Sequence, residues 1–208
     1  MKLFIWDFHG TLEKGNEQAV VEITNAILHR GGYAVRLDEK RAEQWYGKKW
    51  HEYFEHLLPE ESHAVHVRLQ DECIAHQRLH PEIVARYIKA TNYAHEVLTA
   101  IAESHDQIII SGAKSVDVGS FIRAAGFDSF FPSGKFFGLD DHATKEQVAR
   151  AYHARHWFDH VVIVGDSPND IIPFENATSY LYAHPSRSFR ECVSTYKIRD
   201  LREILREV

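Results

Sequence analysis

Three short and mostly apolar runs stand apart from the rest of the chain, at residues 3–6, 107–110 and 161–164. They are rich in β-branched or aromatic residues and lack regular polar alternation, which is typical of strands buried on both faces. Residues 180–183 form a weaker fourth run. We therefore predict a sheet whose central strands are fully enclosed.

Helical periodicity lies between these runs, for example over residues 94–104 and 145–156. Strands that alternate with helices favour parallel pairing through right-handed crossover connections. The pattern predicts an α/β fold built on a doubly wound, Rossmann-like parallel sheet.

The stretch 16–89 is different, because it contains one helical pattern after another and no convincing buried strand. One apolar helical face ends at Gly31 and a second ends at Pro59, and both residue types commonly terminate helices. We expect a helical domain over 16–89, inserted into a core domain formed by 1–15 and 90–208.

Composition and charge narrow the classes of protein that fit. The 208 residues carry a formal net charge of -6 with both signs interleaved, so the electrostatic footprint of a nucleic-acid-binding protein is missing. Cys73 and Cys192 are far apart, which disfavours a disulfide framework or a structural zinc site. The apolar run 3–6 ends at Asp7, too early for a signal peptide or a membrane span. We expect a cytoplasmic protein with neither a nucleic-acid nor a membrane partner.

Polar residues follow the predicted strands at the points where chemistry is expected. In an open parallel sheet, ligands collect beyond the carboxyl ends of the strands. These ends are followed by residues 7–12, by Ser111 and Gly112, and by residues 165–170, while Lys145 begins the helix before the last strong strand. Each feature alone is common in turns or on helix surfaces. Together they suggest carboxylates for a hard cation such as Mg²⁺, with a lysine and a hydroxyl for phosphate oxygens.

In this order the segments resemble the four motifs of the haloacid dehalogenase superfamily. Residues 7–12 (Asp-Phe-His-Gly-Thr-Leu) resemble the first motif, and residues 108–112 (Ile-Ile-Ile-Ser-Gly) resemble the second. Residues 165–170 (Gly-Asp-Ser-Pro-Asn-Asp) are similar to the fourth. Lys145 matches the third motif better than its competitor Lys135, because Lys145 opens the helix before the fourth. The helical insert matches in position the cap domain of the branch that includes phosphoglycolate phosphatases.

The resemblance implies roles for the phosphoryl-binding residues. Asp7 would be the catalytic nucleophile and would form an aspartyl-phosphate, while Ser111, Gly112 and Lys145 would bind the phosphoryl group of the substrate.

The resemblance also implies a Mg²⁺ cofactor. Its ligands would be the Asp7 carboxylate, the backbone carbonyl of His9 and Asp166, with Asp170 supporting the site directly or through water. Because Asp166 and Asp170 retain the metal-binding acids, phosphoryl chemistry is favoured over dehalogenation, which needs no Mg²⁺.

His9 departs from the family pattern, since the phosphatases usually place aspartate there as the acid and base. Histidine could perform both steps, could slow hydrolysis of the phosphoenzyme and favour transfer, or could mark a protein without turnover. We expect a Mg²⁺-dependent phosphatase acting on a small phosphorylated metabolite. The alternatives are a phosphotransferase with the same intermediate, and a non-catalytic module that binds a phosphate ligand or a protein.

Overall fold

The computed structural model of the protein describes residues 1–139 and 143–208. The described chain divides into two compact units. One comprises Met1–Lys14 and Lys89–Val208, and the other comprises Gly15–Ile88.

The first unit is built on a six-stranded sheet in which every pair of neighbouring strands is parallel. This confirms the predicted α/β fold. In spatial order the strands are β5 (Phe136–Gly138), β4 (Asp106–Ser111), β1 (Lys2–Trp6), β6 (His160–Gly165), β7 (Ala177–Tyr182) and β8 (Tyr196–Ile198).

Helices connect these strands, and a short second sheet lies where the chain passes to and from the other unit. The second sheet is one antiparallel pair, β2 (Glu13–Lys14) with β3 (Lys89–Ala90). The helices are α6 (Ala94–Ala102), α7 (Ser115–Ala125) and α8 (Lys145–His153), with 3₁₀ turns at Pro168–Asp170 and Leu201–Glu207.

The apolar runs form the centre of this unit because strands flanked by strands and helices leave no face for water. On one side of the sheet, Leu3 and Ile5 of β1 belong to the same buried cluster as Ile163 of β6. Ala149 and Tyr152 belong to that cluster too, so α8 covers this face. Lys145 is the first residue of α8, so the packing of this helix on the sheet fixes the position of the Lys145 backbone.

The second unit, Gly15–Ile88, consists of five helices around its own apolar core. They are α1 (Asn16–Arg30), α2 (Glu39–Gln44), α3 (Trp50–Leu57), α4 (His63–Leu79) and α5 (Pro81–Tyr87). Helix α1 ends where predicted, since Gly31 follows it and Gly32 adopts a positive φ of 76°. The apolar core of the helical unit includes Ile23, Ile27, Phe54 and Leu69, all 0–1% exposed.

Among the residues that the structure describes, no helix combines the length and apolar character needed to cross a membrane. Cys73 and Cys192, which both lie in the described part of the chain, are free thiols.

Candidate active site

The carboxyl ends of β1, β4 and β6 bring the predicted motifs to one edge of the sheet. Strand register pairs Trp6 with Ile109 on one side and with Val164 on the other. The backbone N–H of Asp7 then donates to the carbonyl of Val164 at 2.8 Å, which continues the ladder for one more bond. The residues at the carboxyl ends of these three strands therefore lie at nearly the same level along the strand direction.

The Asp7 carboxylate is held by two donors and is 8% exposed. Lys145 Nζ donates to Asp7 Oδ1 at 2.6 Å, and Thr11 Oγ1 donates to Asp7 Oδ2 at 3.2 Å. The same ammonium group donates to Asp170 Oδ1 at 2.6 Å. One buried cation is thus shared by two buried carboxylates that are far apart in sequence.

The turn after β6 fixes the second of these carboxylates. Asp170 Oδ2 accepts from the backbone N–H of Ser167 at 2.8 Å and from Ser167 Oγ at 2.6 Å. Gly165 is needed for this turn because a Cβ there would lie 2.1 Å from Asp170 Cβ, closer than any real contact. The Asp170 side chain is consequently aimed by its backbone surroundings before any ligand binds.

Crowding of acids raises the pKa of two of them. Burial, followed by the charge of Asp170, raises the pKa of Asp7 to about 6. Burial, followed by the charges of Asp7 and Asp170, raises the pKa of Asp166 to about 8. Burial alone would lower the pKa of Lys145, but the two carboxylates that it contacts raise it instead. Negative charge exceeds positive charge at this point.

The three acids suit a divalent cation. One oxygen from each of Asp7, Asp166 and Asp170 lies within 4.8 Å of the others. Mg²⁺ prefers a donor set made entirely of oxygen atoms. A bound cation would also offset the burial of charge and the repulsion between the carboxylates that raise the pKa values of Asp7 and Asp166. The residues present therefore fit the metal that the sequence analysis anticipated.

Ser111, the last residue of β4, and Gly112 lie at the adjacent strand end, as their place after the apolar run 107–110 predicts. Ser111 is 1% exposed, and its Oγ accepts from the backbone N–H of Ala113 at 3.3 Å, which leaves its hydroxyl hydrogen to donate elsewhere. No atom of the described residues would lie within 4 Å of a Cβ added at Gly112. Within that part of the chain, the backbone beside Ser111 is open to a small group.

Of the two candidate lysines, the structure brings Lys145 to Asp7 and places Lys135 elsewhere. Lys135 Nζ donates to Asp106 Oδ1 at 2.5 Å and to the Tyr152 hydroxyl at 2.6 Å. Asp106 begins β4, whereas the candidate site lies where β4 ends. Lys135 therefore belongs to a structural cluster at the opposite edge of the sheet.

His9 has a partner that the sequence did not reveal. Its Nδ1 lies 2.9 Å from Oε1 of Glu13, whose residue is 0% exposed, and the same oxygen accepts from the backbone N–H of Gly10 at 3.3 Å. A carboxylate can only accept, so Nδ1 carries the proton and Nε2 is left for other partners. The imidazole also meets the Phe121 ring edge-on at 4.8 Å. Glu13 lies four positions after His9 on a non-helical segment, so no periodic signal could have identified the pair.

Arg190 is a second residue that the sequence analysis missed. Its guanidinium lies 4.0 Å from Asp166 and opposes the rise in the pKa of that acid. No motif surrounds it, and only the folded chain brings it to the strand ends.

Comparisons with known proteins agree with this geometry. A sequence model of the haloacid dehalogenase-like hydrolase family matches residues 1–178. A comparison with curated protein sequences finds no match.

Solved structures share the fold over nearly the whole chain. A predicted phosphoglycolate phosphatase from Haemophilus somnus has a TM-score of 0.80 at 14% identity and covers 100% of this chain and 97% of its own. A predicted phosphatase from Clostridium acetobutylicum has 0.76 at 14%, covering 99% and 96%. A haloacid dehalogenase-like family hydrolase from Streptococcus pneumoniae has 0.75 at 14%, covering 99% and 97%.

At such identities the structural likeness establishes the fold alone. The family match extends over most of the sequence and includes Asp7, Ser111, Lys145 and Asp170. This chain therefore belongs to the haloacid dehalogenase-like hydrolases.

Proposed function

We propose that this hydrolase is a Mg²⁺-dependent phosphatase that acts on a small phosphorylated metabolite through an aspartyl-phosphate on Asp7. The observation that carries the proposal is the shared ammonium group of Lys145, which lies 2.6 Å from both Asp7 Oδ1 and Asp170 Oδ1. A buried cation between two carboxylates at the strand ends is suited to an anionic nucleophile that must approach an anionic substrate.

In the first step, an Asp7 oxygen forms a bond to phosphorus and the ester P–O bond breaks. Thr11 and Lys145 hold the carboxylate, so the nucleophile is oriented in advance. The Ser111 hydroxyl and Lys145 bind the phosphoryl oxygens. His9 enters this step as the imidazolium and gives its Nε2 proton to the oxygen of the leaving group, while Nδ1–H stays on Glu13.

In the second step, water attacks the phosphorus of the aspartyl-phosphate and gives a proton to Nε2 of His9. The bond between the Asp7 oxygen and phosphorus breaks, inorganic phosphate leaves and the carboxylate is restored. The contact between His9 and Glu13 holds the imidazole in one orientation during both transfers.

Asp7, Asp166, Asp170 and the backbone carbonyl of His9 would hold Mg²⁺. When bound, the ion neutralises charge on the phosphoryl group and on the surrounding acids.

The helical unit Gly15–Ile88 is our candidate for the specificity cap. In sequence, this unit is inserted between β2 and β3 of the sheet unit. Its five helices enclose an apolar core of their own, as expected of a separate module.

A panel of phosphate monoesters tests the proposal. The wild-type protein should release inorganic phosphate when Mg²⁺ is present, and acid-quenched samples should carry a phosphoryl adduct on Asp7 by mass spectrometry. Asp7→Asn should abolish both signals, whereas Asp128→Asn, a matched change at an exposed aspartate of the same unit, should preserve them. Phosphate release that survives Asp7→Asn would overturn the nucleophile assignment.

The same experiment separates the alternatives. Adduct formation with slow phosphate release, and passage of labelled phosphate to an added alcohol, would indicate a phosphotransferase. Ligand binding without adduct or turnover across the panel would indicate a non-catalytic module.

A further inference from the structure

A second cluster of metal-ligating side chains lies within the helical unit and does not depend on the proposed phosphatase. It comprises Glu55 of α3 and His63 and His66 of α4. One carboxylate oxygen and one nitrogen from each imidazole all lie within 4.8 Å of one another. His63 and His66 are three residues apart on a helix, so their side chains project from the same face.

His66 is the anchor of this cluster. It is 4% exposed, and its Nε2 lies 2.9 Å from the carbonyl oxygen of Leu58, the residue that caps the end of α3. A carbonyl can only accept, so Nε2 carries the proton and Nδ1 presents a bare lone pair. Nδ1 is buried and has no hydrogen-bond partner among residues 1–139 and 143–208. Imidazoles that bind metals commonly have this arrangement, with one nitrogen on a backbone carbonyl and the other on the ion.

His63 and Glu55 provide the adjustable part of the cluster. His63 Nδ1 already lies 3.1 Å from Glu55 Oε1, and both side chains are exposed, at 69% and 45%. Two donors that bind one tetrahedral Zn²⁺ at its usual bond lengths are roughly 3.3 Å apart. The His63–Glu55 pair is close to that separation, and each of the two already offers an atom within 4.8 Å of a His66 nitrogen.

We propose that Glu55, His63 and His66 bind one Zn²⁺ ion that joins the last turn of α3 to the first turn of α4. Two imidazoles and one carboxylate favour zinc over Mg²⁺, which selects oxygen ligands. Three protein ligands leave a fourth position for water, since Glu55 and His63 face solvent.

The test uses the full chain without an affinity tag, with Mg²⁺ in excess so that the carboxylate cluster of the candidate active site is occupied. Zinc binding is measured by competition with a chromophoric chelator. The double variant Glu55→Gln/His63→Ala removes two exposed ligands and should fold, as circular dichroism will verify. The matched control is Glu82→Gln/His80→Ala, because His80 Nδ1 also lies 3.0 Å from a glutamate oxygen but is outside the cluster.

Wild-type protein and the control should bind one zinc equivalent more than the cluster variant, or bind it at least about tenfold more tightly, a loss typical of a disrupted ligand shell. Zinc should also raise the unfolding temperature of the wild type and of the control by more than it raises that of the cluster variant. Equal zinc stoichiometry and affinity in all three proteins would overturn the proposal, as would the absence of zinc binding by the wild type under these conditions.

Discussion

At the scale of single residues, the candidate site depends on how one ammonium group is shared. Lys145 is buried between Asp7 and Asp170, and both contacts are charge-assisted hydrogen bonds of 2.6 Å. If Lys145 is removed, two buried carboxylates lose their common partner while the phosphoryl group loses a cation.

We predict that Lys145→Met lowers kcat by about 10²-fold to 10³-fold, the loss expected when one preorganised donor to the transition state is removed. Steady-state kinetics on the best substrate of the panel measures this. Lys135→Met is the control, because that lysine binds Asp106 and Tyr152 instead. It should keep kcat and lose about 1–3 kcal/mol of unfolding free energy. Similar kcat values for the two variants would contradict the assignment of Lys145.

Glu13 should act on the reaction only through His9. We predict that His9→Ala lowers kcat by at least about 10²-fold, the contribution typical of a general acid and base. Glu13→Gln should lower kcat by a smaller factor, roughly tenfold, with KM nearly unchanged. The imidazole is still present in this variant, but the charged carboxylate that orients it is replaced by a neutral amide. Combining the two changes should cost no more than His9→Ala alone. Additive losses would show that Glu13 acts by another route.

Metal affinity should depend on pH with a definite sign. Without metal, the pKa of Asp7 is raised to about 6 and that of Asp166 to about 8. Protons therefore compete with the metal on the acid side of these values, and Mg²⁺ binding releases them. We predict that the dissociation constant for Mg²⁺ falls as the pH rises from about 6 to about 8, by up to tenfold per pH unit for each proton released. Isothermal titration calorimetry measures it, and a constant value over this interval would contradict the prediction.

At the scale of elements, the turn after β6 fixes the position of the Asp170 carboxylate relative to the end of the strand. Gly165 ends the strand and Asp170 folds back over it, with the Ser167 backbone and hydroxyl completing the turn. The packing leaves no room for a methyl group on Gly165, because Asp170 Cβ would be 2.1 Å away.

We predict that Gly165→Ala displaces the Asp170 carboxylate, weakens Mg²⁺ binding by at least about tenfold and lowers unfolding free energy by about 1–3 kcal/mol. Calorimetric titration and urea unfolding measure the two effects. Gly112→Ala is the control for adding a methyl group at a strand end, since no atom of the described residues lies within 4 Å of a Cβ built there. It should leave Mg²⁺ affinity and stability unchanged. Equal metal affinity in both variants would count against a positioning role for this turn.

The elements that could be predicted from sequence are those whose own residues carry the signal. The strands β1, β4 and β6 are continuous apolar runs, and α1 ends at a glycine pair. Strand β5 has only three residues, and β2 and β3 have two each, so none contains enough positions for a periodicity. Their formation is decided by neighbours, as at Gly138, where a Cβ would lie 2.1 Å from the Ser115 nitrogen.

The same distinction separates the site residues that the sequence revealed from those that it did not. Asp7 and Asp170 come after strands and Ser111 ends one, so parallel pairing alone predicts that they share an edge. Glu13 and Arg190 reach that edge through β2 and through the chain beyond β7, and no pattern in their own segments indicates such paths.

At the scale of the whole molecule, each of the two units has a separate apolar core. The helical unit encloses Phe54 and Ile27, and the sheet unit encloses Ile5 and Ile163. A unit with its own core can open as its own cooperative unit, with its own free energy.

Native-state hydrogen exchange tests this independence. Phe54 is 0% exposed in the helical unit, so Phe54→Ala should lower the opening free energy of amides in α1 and α4 by about 3–5 kcal/mol while leaving amides of β1 and β6 unchanged. Phe4, also 0% exposed, is the reciprocal probe, and Phe4→Ala should destabilise β1 and β6 and leave α1 and α4 as they were. If either substitution lowers protection equally in both units, they unfold together. Separate responses would allow the helical unit to vary in sequence and substrate preference without loss of the sheet that positions Asp7, because its stability would not be coupled to the catalytic core.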